Sequence, residues 1–288
     1  MNDRATTVRY DLVDGVATIT LDRPDTLNAM NDDLMVDLNA ALERVRADDS
    51  VRVLVLTGEG RGFCSGADLS SAAADDGDVD GGDPGDAVAD SMDGVFHPPI
   101  RLLAELPVPT IARVNGVAAG GGLGLALGCD VAIAARSARF VCTFGPRLGI
   151  VPDLGTTFHL PHRVGAARAR GIAMLGDPIS ADQAADWGLI WAVVDDERLD
   201  EEVASVAAML ARSSPEAMTR IRSAVTGAVT TSLSEQLDVE RDHQRVLIPQ
   251  NMTEGATAFM EKRDPHFDNS RLRGSHQGPI VDRPATRS

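Results

Sequence analysis

The sequence predicts an α/β fold with parallel strand pairing, followed by a wholly helical segment. Short branched-apolar runs such as VRVLVLTG (Val51 to Gly58) have the length and composition of buried strands. They alternate with amphipathic stretches across short connections, the pattern of strand–helix–strand units rather than of an all-β or all-α chain. From about Glu197 onward the apolar spacing is helical throughout and strand signals cease. At 288 residues with 43% hydrophobic content, the chain is long enough to bury its own core.

The elements follow in order. VRYDLV, the turn Asp14–Gly15 and VATITL read as a hairpin. After DRPDTLNAM, Asn31 suits the N-cap of a helix with Asp32 and Asp33 in its first turn, and Leu34, Leu38, Ala41, Leu42 and Val45 on one face. A buried strand at Val51 to Gly58, a helix near Pro99 to Leu106, and strands at Thr110 to Val114 and Val131 to Ala135 come next. The later helical stretches are EEVASVAAMLAR, PEAMTRIRSAVTGAV, LSEQLDVERDHQRVL and TEGATAFMEKR. A boundary is therefore expected near Ser213 and Ser214, giving an α/β core over 1–213, a helical segment over 214–267, and a frayed polar tail over 268–288. Within the core, Ser71 to Gly94 carries eight Asp, five Gly and no Lys or Arg. It buries little and repels itself, so it reads as a mobile acidic loop over 71–94, either an inert insertion or a lid.

Charge and composition exclude several functions. A net charge of −16 leaves no basic face for nucleic acid. The start MNDRATTVRY has no apolar run, and the longest uncharged stretch, Val114 to Cys129, holds six glycines, so neither a signal peptide nor a membrane span is expected. Cys64, Cys129 and Cys142 are odd in number and form no C-x-x-C pair, which points away from disulfides and zinc and toward a reducing cytoplasm. His159 and His162 lack metal-ligand spacing, so no metal site is expected. Trp187 and Trp191 read as core. The single lysine, Lys262, lies far from any glycine loop, which removes the P-loop.

Two glycine-bearing segments share a layout. VRVLVLTG leads into EGRGFCSGADLS, and PTIARVNG leads into VAAGGGLGLALGCD. Each carries the chain from a strand end through small residues that leave N–H groups unshielded, and in the second they open a helix whose dipole adds positive potential. Side by side, such loops would offer two donors to a developing oxyanion. No G-x-G-x-x-G register exists, because Leu125 and Leu127 stand where the third glycine belongs. Close helix packing is the alternative use of these glycines.

GFCSGADL, PTIARVNGVAAGGGLGLALGCD, LGIVPDLGTTFHLP and FMEKRDPHF together resemble the crotonase superfamily of enoyl-CoA hydratases and isomerases, over about residues 8 to 267. The resemblance implies a crotonase-like ββα superhelix with a C-terminal α-helical trimerisation segment, forming a homotrimer or a dimer of trimers. It implies an acyl-CoA thioester substrate, with coenzyme A part of that substrate and no separate cofactor. It matches the oxyanion donors to the N–H groups of Ala67 and Gly121. It lines the coenzyme A channel with Arg23, Leu27, Ala29, Gly66, Asp68 and Leu69, beside Gly120 and Gly122, and puts Lys262 near the nucleotide phosphates; an exposed helix-end cation is the alternative for Lys262.

The two glutamates of the family's hydratases are missing. The first position is Gly124, and the second is either Phe144 or Gly145. Neither residue type transfers a proton. Asp153 in GIVPDLGT stands where the dienoyl-CoA isomerases and the phenylacetate-pathway isomerases place an acid/base Asp, and its apolar neighbours would raise its pKa. Capping the helix near Thr156 is its other possible role. The expectation is an isomerase-type proton transfer by Asp153 over an enolate. Alternatives are a hydratase with a non-standard acid/base, a non-catalytic acyl-CoA binder, and, from G-x-C-x-G at Gly62 to Gly66, a hydrolase with Cys64 as nucleophile.

Overall fold

The strands β1 (Val8–Val13) and β2 (Val16–Leu21) pair antiparallel around Asp14 and Gly15, whose positive φ angles of 50° and 79° close a two-residue hairpin. The computed structural model describes residues 6–70 and 83–267. Asn31 accepts from the Leu34 N–H at 3.1 Å and opens α1 (Asp32–Ala47), which buries Leu34, Leu38 and Leu42. The chain then winds through successive turns, each a strand of a first sheet, a short strand of a second, and helix. These are β3 (Val53–Gly58), β4 (Gly62–Cys64), α2 (Pro84–Ser91) and α3 (His97–Glu105). Next come β5 (Thr110–Val114), β6 (Val117–Ala119) and α4 (Gly121–Gly128), then β7 (Val131–Ala135), β8 (Arg139–Val141) and α5 (Thr156–Leu175). The first unit closes with β9 (Ile179–Ser180), α6 (Ala181–Asp186), β10 (Ala192–Val194) and α7 (Leu199–Arg212). This is the ββα spiral of the resemblance.

Among the described residues the first sheet has the order β1-β2-β3-β5-β7-β10, parallel from β2 onward, and the second has the order β4-β6-β8-β9. β3 is buried along its length because both sheet faces are covered. Leu54 and Leu56 share a core with Leu38 of α1 and Leu123 of α4, while Val53 and Val55 share one with Ile133, Leu199 and Val203. Each such side chain contributes about 1.5–3 kcal/mol by leaving water.

The second unit, beginning at Arg212, contains α8 (Pro215–Gly227), capped by Ser214, and α9 (Leu233–Glu261), opened by a Ser232–Glu235 capping box. α9 is one 29-residue helix, not the two that LSEQLDVERDHQRVL and TEGATAFMEKR suggested. Pro249 interrupts the hydrogen-bond ladder at about 3 kcal/mol, which cooperative propagation on both sides outweighs.

Other expectations change. Of the acidic segment 71–94, residues 71–82 lie outside the described residues, as does the tail 268–288. Residues 83–94 are helical rather than loop: Asp83 accepts from the Gly85 N–H at 2.7 Å, Pro84 takes the first helical position, and a π-turn at Met92–Phe96 carries the chain into α3. Trp191 is 72% exposed instead of core, whereas Trp187 is half-buried beneath the Arg168 guanidinium. No helix among the described residues is long and apolar enough to cross a membrane.

Candidate active site

Three neighbouring parallel strands build the site. β4, β6 and β8 stand side by side, with Cys64 opposite Ala118 and Ala119 opposite Val141. Their carboxyl ends deliver three connections to one edge: Ser65 to Asp68, Gly120 to Gly121, and Cys142 to Phe144. The first two touch. A Cβ on Gly66 (φ 96°) would lie 2.9 Å from the Ala119 carbonyl oxygen and 3.4 Å from the Gly121 nitrogen, so a larger residue would force the connections apart.

The two backbone amides predicted from the sequence meet here. Met30 bridges Ala67, its N–H donating to the Gly66 carbonyl at 2.7 Å and its carbonyl accepting from the Asp68 N–H at 2.8 Å. Backbone alternation turns the Ala67 N–H to the other side of this extended segment. Gly120 (φ 53°, ψ −128°) turns the chain into α4 in a conformation that a side chain would resist, leaving the Gly121 N–H in the helix's first turn. Among the described residues neither N–H donates to a protein acceptor. The α4 dipole adds positive potential at Gly121.

Ala67 and Gly121 both border a cavity of about 660 Å³, as do Gly66, Asp68, Leu69, Gly120 and Asp153. That volume lies within the range of small-molecule sites. Asp153 is half-buried, and burial raises its carboxyl above the ordinary carboxylate value; its own backbone N–H and the charge of His97 oppose the rise. It does not cap α5. Gly155 is the cap residue, and only the Asp153 carbonyl bonds the helix, accepting from the Thr156 N–H at 2.9 Å. The other lining carboxylates differ in setting: Asp32 and Asp33 are exposed, and Asp68 is held below the ordinary range by the Ser70 hydroxyl and the Arg23 guanidinium.

Arg23, Leu27, Ala29 and Gly122 lie off the cavity wall. Arg23 donates to Asp68 at 2.8 Å and to the Ala29 carbonyl, tying the loop of Leu27 and Ala29 to the Ala67 connection. The Leu27 carbonyl accepts from the Ser65 N–H at 3.0 Å. Gly122 packs on β4, where a Cβ would lie 2.3 Å from the Cys64 carbonyl oxygen. Lys262 is the left-handed cap residue of α9, in the second unit. Cys64 is buried and its thiol is pushed up to about 12, which removes it as a nucleophile. Half-buried His159 is pushed down to about 4 by desolvation, and no group of His, Cys, Asp or Glu among the described residues could hold a metal ion.

Much of the apolar wall escaped the sequence reading. Met92 with Phe96, and Phe144 with Leu148, are the ends of two π-turns facing the cavity. Apolar residues four apart were the available signal, masked in the first case by the surrounding Asp and Gly. Of the two candidates for the second glutamate position, buried Phe144 lines the cavity and exposed Gly145 does not.

Residues 11–270 match the family model described as enoyl-CoA hydratase/isomerase. The chain is 46% identical over 254 residues to the 1,2-epoxyphenylacetyl-CoA isomerase of Escherichia coli K12, covering 88% of this chain and 95% of that one. It is similar to the solved enoyl-CoA hydratase of Bacillus anthracis, with a TM-score of 0.82 and 32% identity over 92% of this chain and 100% of the other. An enoyl-CoA hydratase structure from Polaromonas sp. JS666 gives 0.82 and 32% over 91% and 99%.

Proposed function

The chain belongs to the enoyl-CoA hydratase/isomerase family, within the crotonase superfamily, and on that premise we propose that it isomerises an acyl-CoA thioester by moving a proton between carbons. The Ala67 and Gly121 N–H groups donate to the thioester carbonyl. Asp153, ionised, takes a proton from a carbon of the acyl group; the electrons of that C–H bond pass into an enolate whose oxygen the two amides hold. The protonated carboxyl then returns the proton to another carbon, and the enolate electrons reform the carbonyl. Each donor contributes about 3–4 kcal/mol to the charged state, and a positioned acid/base adds about 10²–10⁴ in rate.

The observation that carries this reading is that Asp153, whose carboxyl is raised by burial, lines one cavity with Ala67 and Gly121, whose N–H groups have no protein acceptor among the described residues. Adding water requires a second proton-transfer group, and Gly124 and Phe144 supply none. The isomerase name of the Escherichia coli relative supports the same choice and makes phenylacetyl-type thioesters the first to assay. A panel of unsaturated and ring-bearing CoA thioesters, followed by absorbance and mass, tests it. Isomerisation changes absorbance at constant mass; a product heavier by one water would show hydration, and binding without change would show a non-catalytic binder.

Exposed apolar side chains of the second unit, including Ile221, Val225, Leu233 and Phe259, support assembly into a homotrimer or a dimer of trimers, which light scattering tests. Lys262 in this reading meets the nucleotide phosphates, so Lys262→Ala should weaken CoA binding. Three buried free thiols favour a reducing cytoplasm.

A further inference from the structure

We propose that the Thr143 hydroxyl determines specificity by hydrogen-bonding an oxygen carried on the acyl group itself, beyond the thioester. Thr143 precedes the π-turn Phe144–Leu148 with helical φ and ψ of −79° and −8°, and its side chain makes no capping bond to that turn. Among the described residues its hydroxyl has no hydrogen-bond partner. It is half-buried on the cavity wall, and its Oγ1 would stand 3.2 Å from a Cβ on Gly120, the residue before the Gly121 amide.

Polar neighbours at that edge are already engaged. The Ser65 hydroxyl donates to the Thr26 carbonyl at 3.0 Å, Asp68 is held by Arg23 and Ser70, and Asn31 caps α1. Met30, Phe144, Leu148 and Leu154 give the same cavity its apolar wall, and its half-buried carboxylate, Asp153, is the group assigned to proton transfer. An acyl group with no polar atom would strip water from this hydroxyl and give nothing back, at a cost of about 1–3 kcal/mol. One bearing a hydroxyl, ether or epoxide oxygen within reach would restore the bond. The site therefore discriminates by penalising the unoxygenated acyl group.

This inference rests on the acyl-CoA reading of the cavity, and calorimetric titration separates the two. Wild type, Thr143→Val and Thr143→Ser are each titrated with phenylacetyl-CoA, mandelyl-CoA and 2-hydroxyphenylacetyl-CoA. Wild type and Thr143→Ser should bind at least one hydroxylated thioester about tenfold more tightly than phenylacetyl-CoA, and Thr143→Val should lose the preference and bind phenylacetyl-CoA more tightly than wild type does, because no hydroxyl is left to desolvate. Equal weakening of all three by Thr143→Val would mean a packing role or a third donor to the thioester, and would overturn the proposal. So would a wild type without preference, or a preference that survives in Thr143→Val. Failure of wild type to bind any thioester would overturn the acyl-CoA reading and this inference together.

Discussion

The α-carbon of Gly124 faces the carbonyl oxygen of Leu154 so closely that a Cβ would lie 2.5 Å from it, and 2.7 Å from the Thr156 hydroxyl. By resemblance, Gly124 is where hydratases of the family carry their first glutamate. Here the chain entering α5 fills that space, so restoring the residue type does not restore the function. Gly124→Glu is expected to destabilise the protein by about 1–3 kcal/mol through overpacking and to gain no hydration activity. Thermal unfolding and a hydration assay check both parts.

The Thr156 hydroxyl in the same contact is fully buried and has no hydrogen-bond partner among the described residues. Removing a desolvated, unsatisfied group while keeping the side-chain shape should stabilise. Thr156→Val is expected to gain about 1 kcal/mol, measured by denaturant titration; a comparable loss would reveal a partner such as an ordered water.

Burial raises the Asp153 carboxyl, so folding favours its protonated form. The stability this group contributes is full below the unfolded carboxylate pKa and is lost as pH rises through the higher folded value. Asp153→Asn stays neutral throughout. It should melt above wild type at neutral pH, with the gap closing as pH falls below about 4. Activity should move oppositely: the wild-type rate should fall on the acid side at a pH above the ordinary carboxylate range, as the base form is lost.

The native protein should resist thiol alkylation. Cys64, Cys129 and Cys142 are buried, and the thiols of Cys64 and Cys142 are pushed up to about 12 and about 11, so almost no thiolate is present at neutral pH. Iodoacetamide should leave turnover unchanged and label all three only after unfolding, as mass spectrometry would report. Rapid loss of activity with one label at Cys64 would return that residue to the mechanism.

The strands legible in the sequence were β1, β2, β3, β5 and β7 of the first sheet, β1 by its alternation and β3 by a continuous apolar run buried along its length, whereas the three-residue β10 of that sheet was not. The second sheet was not legible: β4, β6 and β8 have three residues each, too few to show a period. Yet those short strands set the site, because their adjacent ends bring Ala67, Gly121 and Thr143 to one edge. The glycine loops were legible because bare backbone has a compositional signature. The wall formed by Met92 and Phe96 was not, since acidic residues and Gly94 obscured a helix fixed locally by Asp83 and Pro84. Arg23, which the resemblance assigns to the coenzyme A channel, also has a structural partner set that the sequence does not show: it donates to Asp68 and to the Ala29 carbonyl.

Wild type and Asp153→Asn, incubated with an unsaturated acyl-CoA in deuterium oxide and followed by mass spectrometry and absorbance, test most directly whether one carboxylate moves the proton. Wild type should shift the double bond without adding water and exchange acyl-group hydrogen for deuterium as it does so, while Asp153→Asn, still folded and still binding the thioester, should lose both by at least about a hundredfold. A product heavier by a whole water, or a variant that exchanges at the wild-type rate, would contradict the account.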